Sequence, residues 1–514
     1  MISETTRIEE LVAFLYGDDD PTAVNEKITA VLNQYQAHLP PPQPNTLTQQ
    51  DAVLITYGDM VQAPDEAPLA TLTRFCRQQL GDTVNTIHLL PFYPYTSDDG
   101  FSVVDYTAVN PTLGTWEDIQ HLGQDYALMF DAVINHISAS SDWFKRFLAD
   151  DPHYRDYFVA VDPTTDLSAV FRPRALPLLT PFDTAVGPRY VWTTFSADQI
   201  DLNYANPDVL LAVLETLLCY VQRGATLIRL DAIGFLWKEI GTNCLHLPQT
   251  HAVIQLIRAA LNQVAPQVKL ITETNVPHAE NIAYFGDGHN EAQMVYNFSL
   301  PPLTLHAFHT SDATRLTRWA KTLDLPSDKV TFFNFLASHD GIGLTPARGI
   351  LSTAEIDQMT ARVQALGGRV SFKNNPDGTQ SPYELNINYL AALGQPEVDE
   401  PTAVWARRFL AAQAIMLALR GVPGIYFHSL FGSDNWTAGV AQTGQNRTIN
   451  RQKLSYESLT ADLADPASLR AQVYRPYQRL LRVRRTHGAF HPHGRQKILA
   501  VHPALFALWR GAPA

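Results

Sequence analysis

Residues 224–241 read GATLIRLDAIGFLWKEIG. A glycine leads into four β-favouring apolar residues, the pattern of a strand covered on both faces. Arg229 and Asp231 interrupt that run two positions apart. Burying a charge is costly unless it is paired or put to use. The stretch therefore predicts a strand whose two charged residues emerge together, with a task to perform.

Seven further runs have strand character: AVLITY (52–57), TIHLLPF (86–92), ALMFDAVINH (127–136), KLITETN (269–275), MVYNFSL (294–300), VTFFNFLASHD (330–340) and GIYFHSL (424–430). Helical patterns such as PDVLLAVLETLLCYVQRG and THAVIQLIRAALNQVAP separate most of them and end in Gly or Pro, as helix stops do. Eight apolar strands with helical crossovers predict an α/β chain folded as a (β/α)8 barrel over residues 51–486. Two connections exceed a simple crossover. Residues 137–200 are Pro-rich and read as irregular, and residues 341–400 contain KNNPDGTQSPYE. Both follow strand C-terminal ends, so both read as insertions on the catalytic face. Residues 1–50 read as a helical extension of two amphipathic helices and a PPPQPN linker, and residues 487–514 as a short β piece.

Hydrophobic residues make up 46% of the 514, which supports a large core. The net charge of −13 argues against nucleic acid or an anionic membrane as partner, leaving small molecules and a possible homodimer. Cys76, Cys219 and Cys244 form no CxxC pair and read as reduced core thiols. The N-terminus lacks a signal-peptide pattern, and no apolar window is long enough to span a bilayer. A cytoplasmic protein is expected.

In a barrel, polar residues at strand C-terminal ends read as catalytic. Asp231, Glu273 and Asp340 end three of the runs, His136 ends a fourth, and His339 precedes Asp340. A satisfied structural polar group would explain any one of them, but coincidence explains all five poorly. A carboxylate pair suits glycosyl transfer, one acid acting as nucleophile and the other protonating the leaving oxygen. Arg229 is expected to keep Asp231 ionised, and the apolar neighbours of Glu273 to raise its pKa.

DAVINH (131–136), IRLDAIGF (228–235), ITETN (271–275) and ASHDGIG (337–343) resemble, in order, the four motifs of glycoside hydrolase family 13, the α-amylase family. The resemblance covers nearly all of the chain after residue 50. It implies Asp231 as nucleophile, Glu273 as acid/base and Asp340 as transition-state stabiliser, with Arg229, His136 and His339 binding sugar or orienting the acids. HLLPFYPYTSDDGFSVVDY (88–106) resembles the sucrose phosphorylase subgroup. There Asp98 and Phe101 would close a pocket for one glucose, with Gln199 from FSADQIDLN and Arg447 from NRTINR paired with Asp98. FRPRALPLLTPF (171–182) resembles the subgroup's phosphate-contacting loop, with Arg174 a closer match than Arg172.

The subgroup covers phosphorylases of sucrose, sucrose 6'-phosphate, glucosylglycerol and glucosylglycerate. Asn275 stands where sucrose phosphorylases carry a histidine, and Phe235 where they carry a tyrosine. The longer segments VDPTTDLSAVFRPRALPLLTPF, EIGTNCLHLPQTH and ETNVPHAENIAYFG look most like glucosylglycerate phosphorylases. The expected reaction is reversible phosphorolysis of 2-O-α-D-glucosyl-D-glycerate. A hydrolase or a non-catalytic binding subunit is the remaining alternative. An anionic acceptor needs a cation or an amide near Asn275, and Arg174, Lys238, Lys373 and Asn386 are the candidates. Family amylases often hold calcium through the residue matching Asn135; no metal and no cofactor are expected here, with inorganic phosphate as co-substrate.

Overall fold

The computed structural model describes residues 3–513 apart from 18–19, 40, 43–44, 175 and 376–378. Eight parallel strands close a barrel: β1 Val53–Thr56, β2 Thr86–Leu89, β3 Ala127–Ala132, β4 Ala225–Leu230, β5 Lys269–Thr272, β6 Met294–Tyr296, β7 Thr331–Asn334 and β8 Val422–Tyr426. Neighbours in the chain are neighbours in the barrel, and β8 returns to β1. The strands are buried almost throughout because side chains fill the barrel inside and helices cover it outside. The (β/α)8 architecture is therefore as the sequence predicts.

Several strand ends differ from the sequence reading. β3 stops at Ala132, and His136 begins a separate short strand, His136–Ser138, paired antiparallel with Gln199–Asp201. β7 stops at Asn334, well short of Asp340. The eighth run starts earlier, at Val422, and Phe427–Leu430 coils into a helical turn. An uninterrupted apolar run carries no mark of where extended backbone gives way to a buried turn.

Both insertions are folded. Residues 137–200 hold a helix, Asp142–Leu148, and a hairpin, Leu179–Thr184 with Gly187–Trp192, so they are not irregular. Trp192 joins Val170, Leu178 and Cys244 in a small core of its own. Residues 341–400 hold a helix, Thr353–Ala365, and a second hairpin, Arg369–Asn374 with Gln380–Asn386. This hairpin extends through the short strand Ile342–Gly343, directly behind Asp340. Pro376, Asp377 and Gly378 of KNNPDGTQSPYE lie outside the described residues.

The helices α1 Glu4–Tyr16 and α2 Pro21–Gln36 are capped by the side chains of Ser3 and Asp20. They pack on the barrel helices Pro207–Gln222 and Pro248–Val264. Pro40, Gln43 and Pro44 of the linker lie outside the described residues. At the other end, helix Leu469–Thr486 leads to a hairpin, Arg495–His502 with Leu505–Gly511. Cys76, Cys219 and Cys244 are unpaired, and no helix among the described residues is long and apolar enough to cross a membrane.

Candidate active site

The centre of the site is set by strand register. Asp131 on β3 lies opposite Arg229 on β4, and Ile271 on β5 flanks Arg229 on its other side. Arg229 Nη1 donates to Asp131 Oδ1 and, at 2.9 Å, to Asp231 Oδ1. Its Nη2 lies 4.0 Å from Glu273 Oε2. His88 on β2 bonds the other Asp131 oxygen at 2.7 Å. One guanidinium therefore serves three carboxylates. Asp131, fully buried beneath the other two, is absent from the sequence expectations.

Ala232 follows Asp231 with φ 48° and ψ 32°, a left-handed conformation that is strained for alanine. The turn aims its N–H at Glu273 Oε2, 2.9 Å away, tying the two acids together. Asp340 arrives on the loop beyond β7. Asn450 Nδ2 pins this loop by donating to the carbonyls of Ser338 and Asp340, each at 3.0 Å. Asp340 Oδ1 then meets Arg447 Nη1 at 2.5 Å, with Arg451 Nη2 and His339 Nε2 each at 3.5 Å.

These surroundings separate the protonation states. Burial pushes Asp340 up, but Arg447, Arg451 and Arg229, joined by His339 when it is protonated, outweigh it and hold the carboxylate ionised. His339 is lowered to about 3, chiefly by burial, and is neutral at physiological pH. Asp231 differs from expectation. Burial, Glu273, Asp131 and Asp340 raise its pKa against the pull of Arg229, whose charge is divided among several acids. Glu273 is raised as well, by burial and Asp340, against Arg229 and the Ala232 N–H. Two adjacent acids with raised pKa values titrate as a pair that holds one proton between them over part of the pH range.

That arrangement costs stability at neutral pH. A carboxylate with a raised folded-state pKa stabilises the fold below its unfolded value, and the contribution is lost as pH rises through the folded value. Glu273→Gln is therefore expected to melt higher than wild type at about pH 8, with the difference closing toward about pH 4. Each unit of elevation is worth about 1.4 kcal/mol. A melting difference that does not change with pH would refute the raised pair.

Around the acids lies about 500 Å³ of space, its mouth included, lined by Asp98, Phe101, His136, Gln199, Asp231, Glu273, His339, Asp340, Arg174 and Arg447 among others. The sequence-predicted glucose residues are thus brought together. Phe101 stacks on His339 with ring centroids 4.5 Å apart. His136 Nε2 and Gln199 Nε2 both donate to the Phe101 carbonyl at 3.0 Å, fixing the wall rather than leaving these nitrogens free.

The expected pairing of Arg447 with Asp98 is not found. Arg447 reaches Asp340 and, through Nε at 3.1 Å and Nη2 at 2.7 Å, the buried Glu384. Asp98 is instead approached by Arg174 at 3.4 Å and Arg451 at 3.9 Å. Burial raises Asp98, but Arg174, Arg447 and Arg451 bring it below its ordinary value. Two arginines four positions apart in NRTINR look alike in sequence, and the 3-10 turn Asn446–Asn450 decides which faces which acid.

Past Glu273 and Asn275 the pocket continues into a cleft walled by Phe171, Phe195, Phe235, Leu245 and Val276. Phe235 meets Phe195 edge-on at 5.4 Å. Asn275 borders both spaces, and its Oδ1 is buried without a hydrogen-bond partner. A β-carbon on Gly343 would lie 2.5 Å from that oxygen, so glycine there makes room for Asn275. Tyr383, absent from the sequence expectations, borders the pocket and the cleft as well.

Two predicted acceptor residues lie elsewhere. Lys238 is buried, with Nζ 2.8 Å from Asp201 and 3.0 Å from Asn135 Oδ1. Its ammonium thus bonds Asn135, the residue that matches the family's calcium-holding asparagine. Asn386 is buried in the second hairpin and donates to Ser371 Oγ at 2.9 Å. Lys373 lines neither space, but its Nζ lies 5.5 Å from the ring centroid of Phe171, a wall of the cleft. Arg172 does not line the cleft, although Phe171 and Pro173 beside it do.

Residues 78–345 match the family described as alpha amylase, catalytic domain. The chain belongs to the α-amylase family. Glucosylglycerate phosphorylase of Spirochaeta thermophila is 54% identical over 513 residues, covering 99% of this chain and 87% of the relative. Sucrose phosphorylase of Agrobacterium vitis is 30% identical, covering 85% and 88%. The crystal structure of sucrose 6F-phosphate phosphorylase from Thermoanaerobacter thermosaccharolyticum superposes with TM-score 0.78 at 24% identity, covering 91% and 92%, a likeness of fold.

Proposed function

We propose that this α-amylase-family chain is a retaining phosphorylase, converting 2-O-α-D-glucosyl-D-glycerate and phosphate reversibly to α-D-glucose 1-phosphate and D-glycerate. The carrying observation is the closed pocket around Asp231, Glu273 and Asp340 that opens at Asn275 into a short aromatic cleft. The first space is the site assigned to the sugar and the second the site assigned to a small acceptor. The kinship with glucosylglycerate phosphorylase supports the choice of acceptor.

Asp231 attacks the anomeric carbon from the β face as the bond to the glycerate oxygen breaks. Glu273 gives its proton to that oxygen. Arg229 hydrogen-bonds Asp231 at 2.9 Å but stands 4.0 Å from Glu273, whose close donor is the neutral Ala232 N–H, and this favours the shared proton on Glu273. Asp340, held ionised, stabilises the positive charge on the sugar. Phosphate then attacks the β-glucosyl ester from the α face, Glu273 accepts its proton, and Asp231 is released. Arg174, joined to Asp98 by one long contact, is the cation for the incoming phosphate. Metal and organic cofactor have no step to perform. The unpaired cysteines suit the cytoplasm.

The test offers α-glucose 1-phosphate with glycerate, glycerol, fructose or fructose 6-phosphate and measures phosphate release. Release with glycerate is expected. Release with fructose alone would reject the acceptor, and release without any acceptor would indicate a hydrolase.

A further inference from the structure

Four side chains compete for the anionic end of the acceptor, and their partners separate them. Lys238 is committed to Asp201 and Asn135. Asn386 is committed to Ser371 within the hairpin. Arg174 faces Asp98 inside the glucose pocket. Among the described residues no carboxylate pairs with Lys373, and the charged group that acts on it is another cation, Arg348.

Its position gives that isolation a meaning. Lys373 projects from the strand Arg369–Asn374 of the second insertion. It lies over Phe171 of the first insertion, and Phe171 is a wall of the acceptor cleft. The ammonium is half-buried, and burial lowers its pKa, with Arg348 adding to the effect. A partly desolvated cation over an aromatic ring gains further from an anion that binds beside it. The walls Phe171, Phe195 and Phe235 limit water, which strengthens any ion pair formed there.

We propose that Lys373 is the specificity-determining residue that recognises the acceptor's carboxylate across the Phe171 rim. The two anions of the reaction then meet different cations, phosphate at Arg174 and carboxylate at Lys373. This rests on the reading of the acceptor as glycerate.

Lys373→Gln is expected to raise the KM for glycerate by about tenfold or more. Its kcat should change little, and the KM for α-glucose 1-phosphate should stay put. Lys373→Arg, which keeps the charge, should recover most of the loss. An unchanged glycerate KM in Lys373→Gln overturns the assignment while leaving glycerate as the acceptor. An equal rise in the KM for α-glucose 1-phosphate also overturns it, since that would mark a structural effect. A wild-type protein that does not transfer glucose to glycerate removes the acceptor reading and this inference together.

Discussion

Asp231→Ala is expected to abolish phosphorolysis and its reverse, by on the order of 10⁴-fold or more. The side chain is the one group bonded to Arg229 that also lines the glucose pocket beside Glu273. Without it, no covalent ester forms. The loss should be chemical rather than structural, because Asp131 continues to neutralise Arg229. Melting is therefore expected near the wild-type temperature or above it, since a carboxylate with a raised pKa has been removed. Azide should enter the vacated space and attack from the β face, yielding β-glucosyl azide from α-glucose 1-phosphate. Activity within about a hundredfold of wild type would reject Asp231 as nucleophile. So would an azide product of α configuration.

The second large effect is on stability. Asp131→Ala leaves Arg229 and His88 fully buried without their shared partner. Removing one member of a buried ion pair costs about 3–5 kcal/mol. The variant should unfold at distinctly lower denaturant concentration than wild type. Activity should fall too, because Arg229 would turn toward Asp231 and Glu273 and lower both of their pKa values. Asp131→Asn retains acceptor and donor atoms and should lie between the two. A melt matching wild type would show that Arg229 is adequately held by Asp231 alone. Together the two substitutions test whether Asp231 reacts while Asp131 keeps the reacting groups in place.

How much was legible depended on the kind of signal. Glu273 could be placed because KLITETN shows both its strand and its acid, and Asp231 for the same reason. Asp131 sits in an equally visible motif, but an acid one residue before a strand's end shows nothing of its partner. Its pairing follows from the register of β3 against β4, which joins residues 98 positions apart. Arg451 was hidden by Arg447, and Glu384 by lying in an insertion with no barrel periodicity to mark it. Tyr383 shares that hairpin and that concealment.

The amino-acid order alone determined the eight-stranded barrel and singled out the three acids as candidates, because strand period, crossover length and motif spacing are properties of short contiguous stretches. Tertiary structure decided the ion pairs: Arg447 with Glu384 rather than Asp98, Lys238 with Asp201 rather than an acceptor, and Lys373 with no carboxylate among the described residues. It also decided that the charge of Arg229 is shared, so that Asp231 is not simply held ionised. The physical reason is that a charge responds to every group within a few ångströms. In a closed barrel those groups come from strands and loops that are distant in the chain.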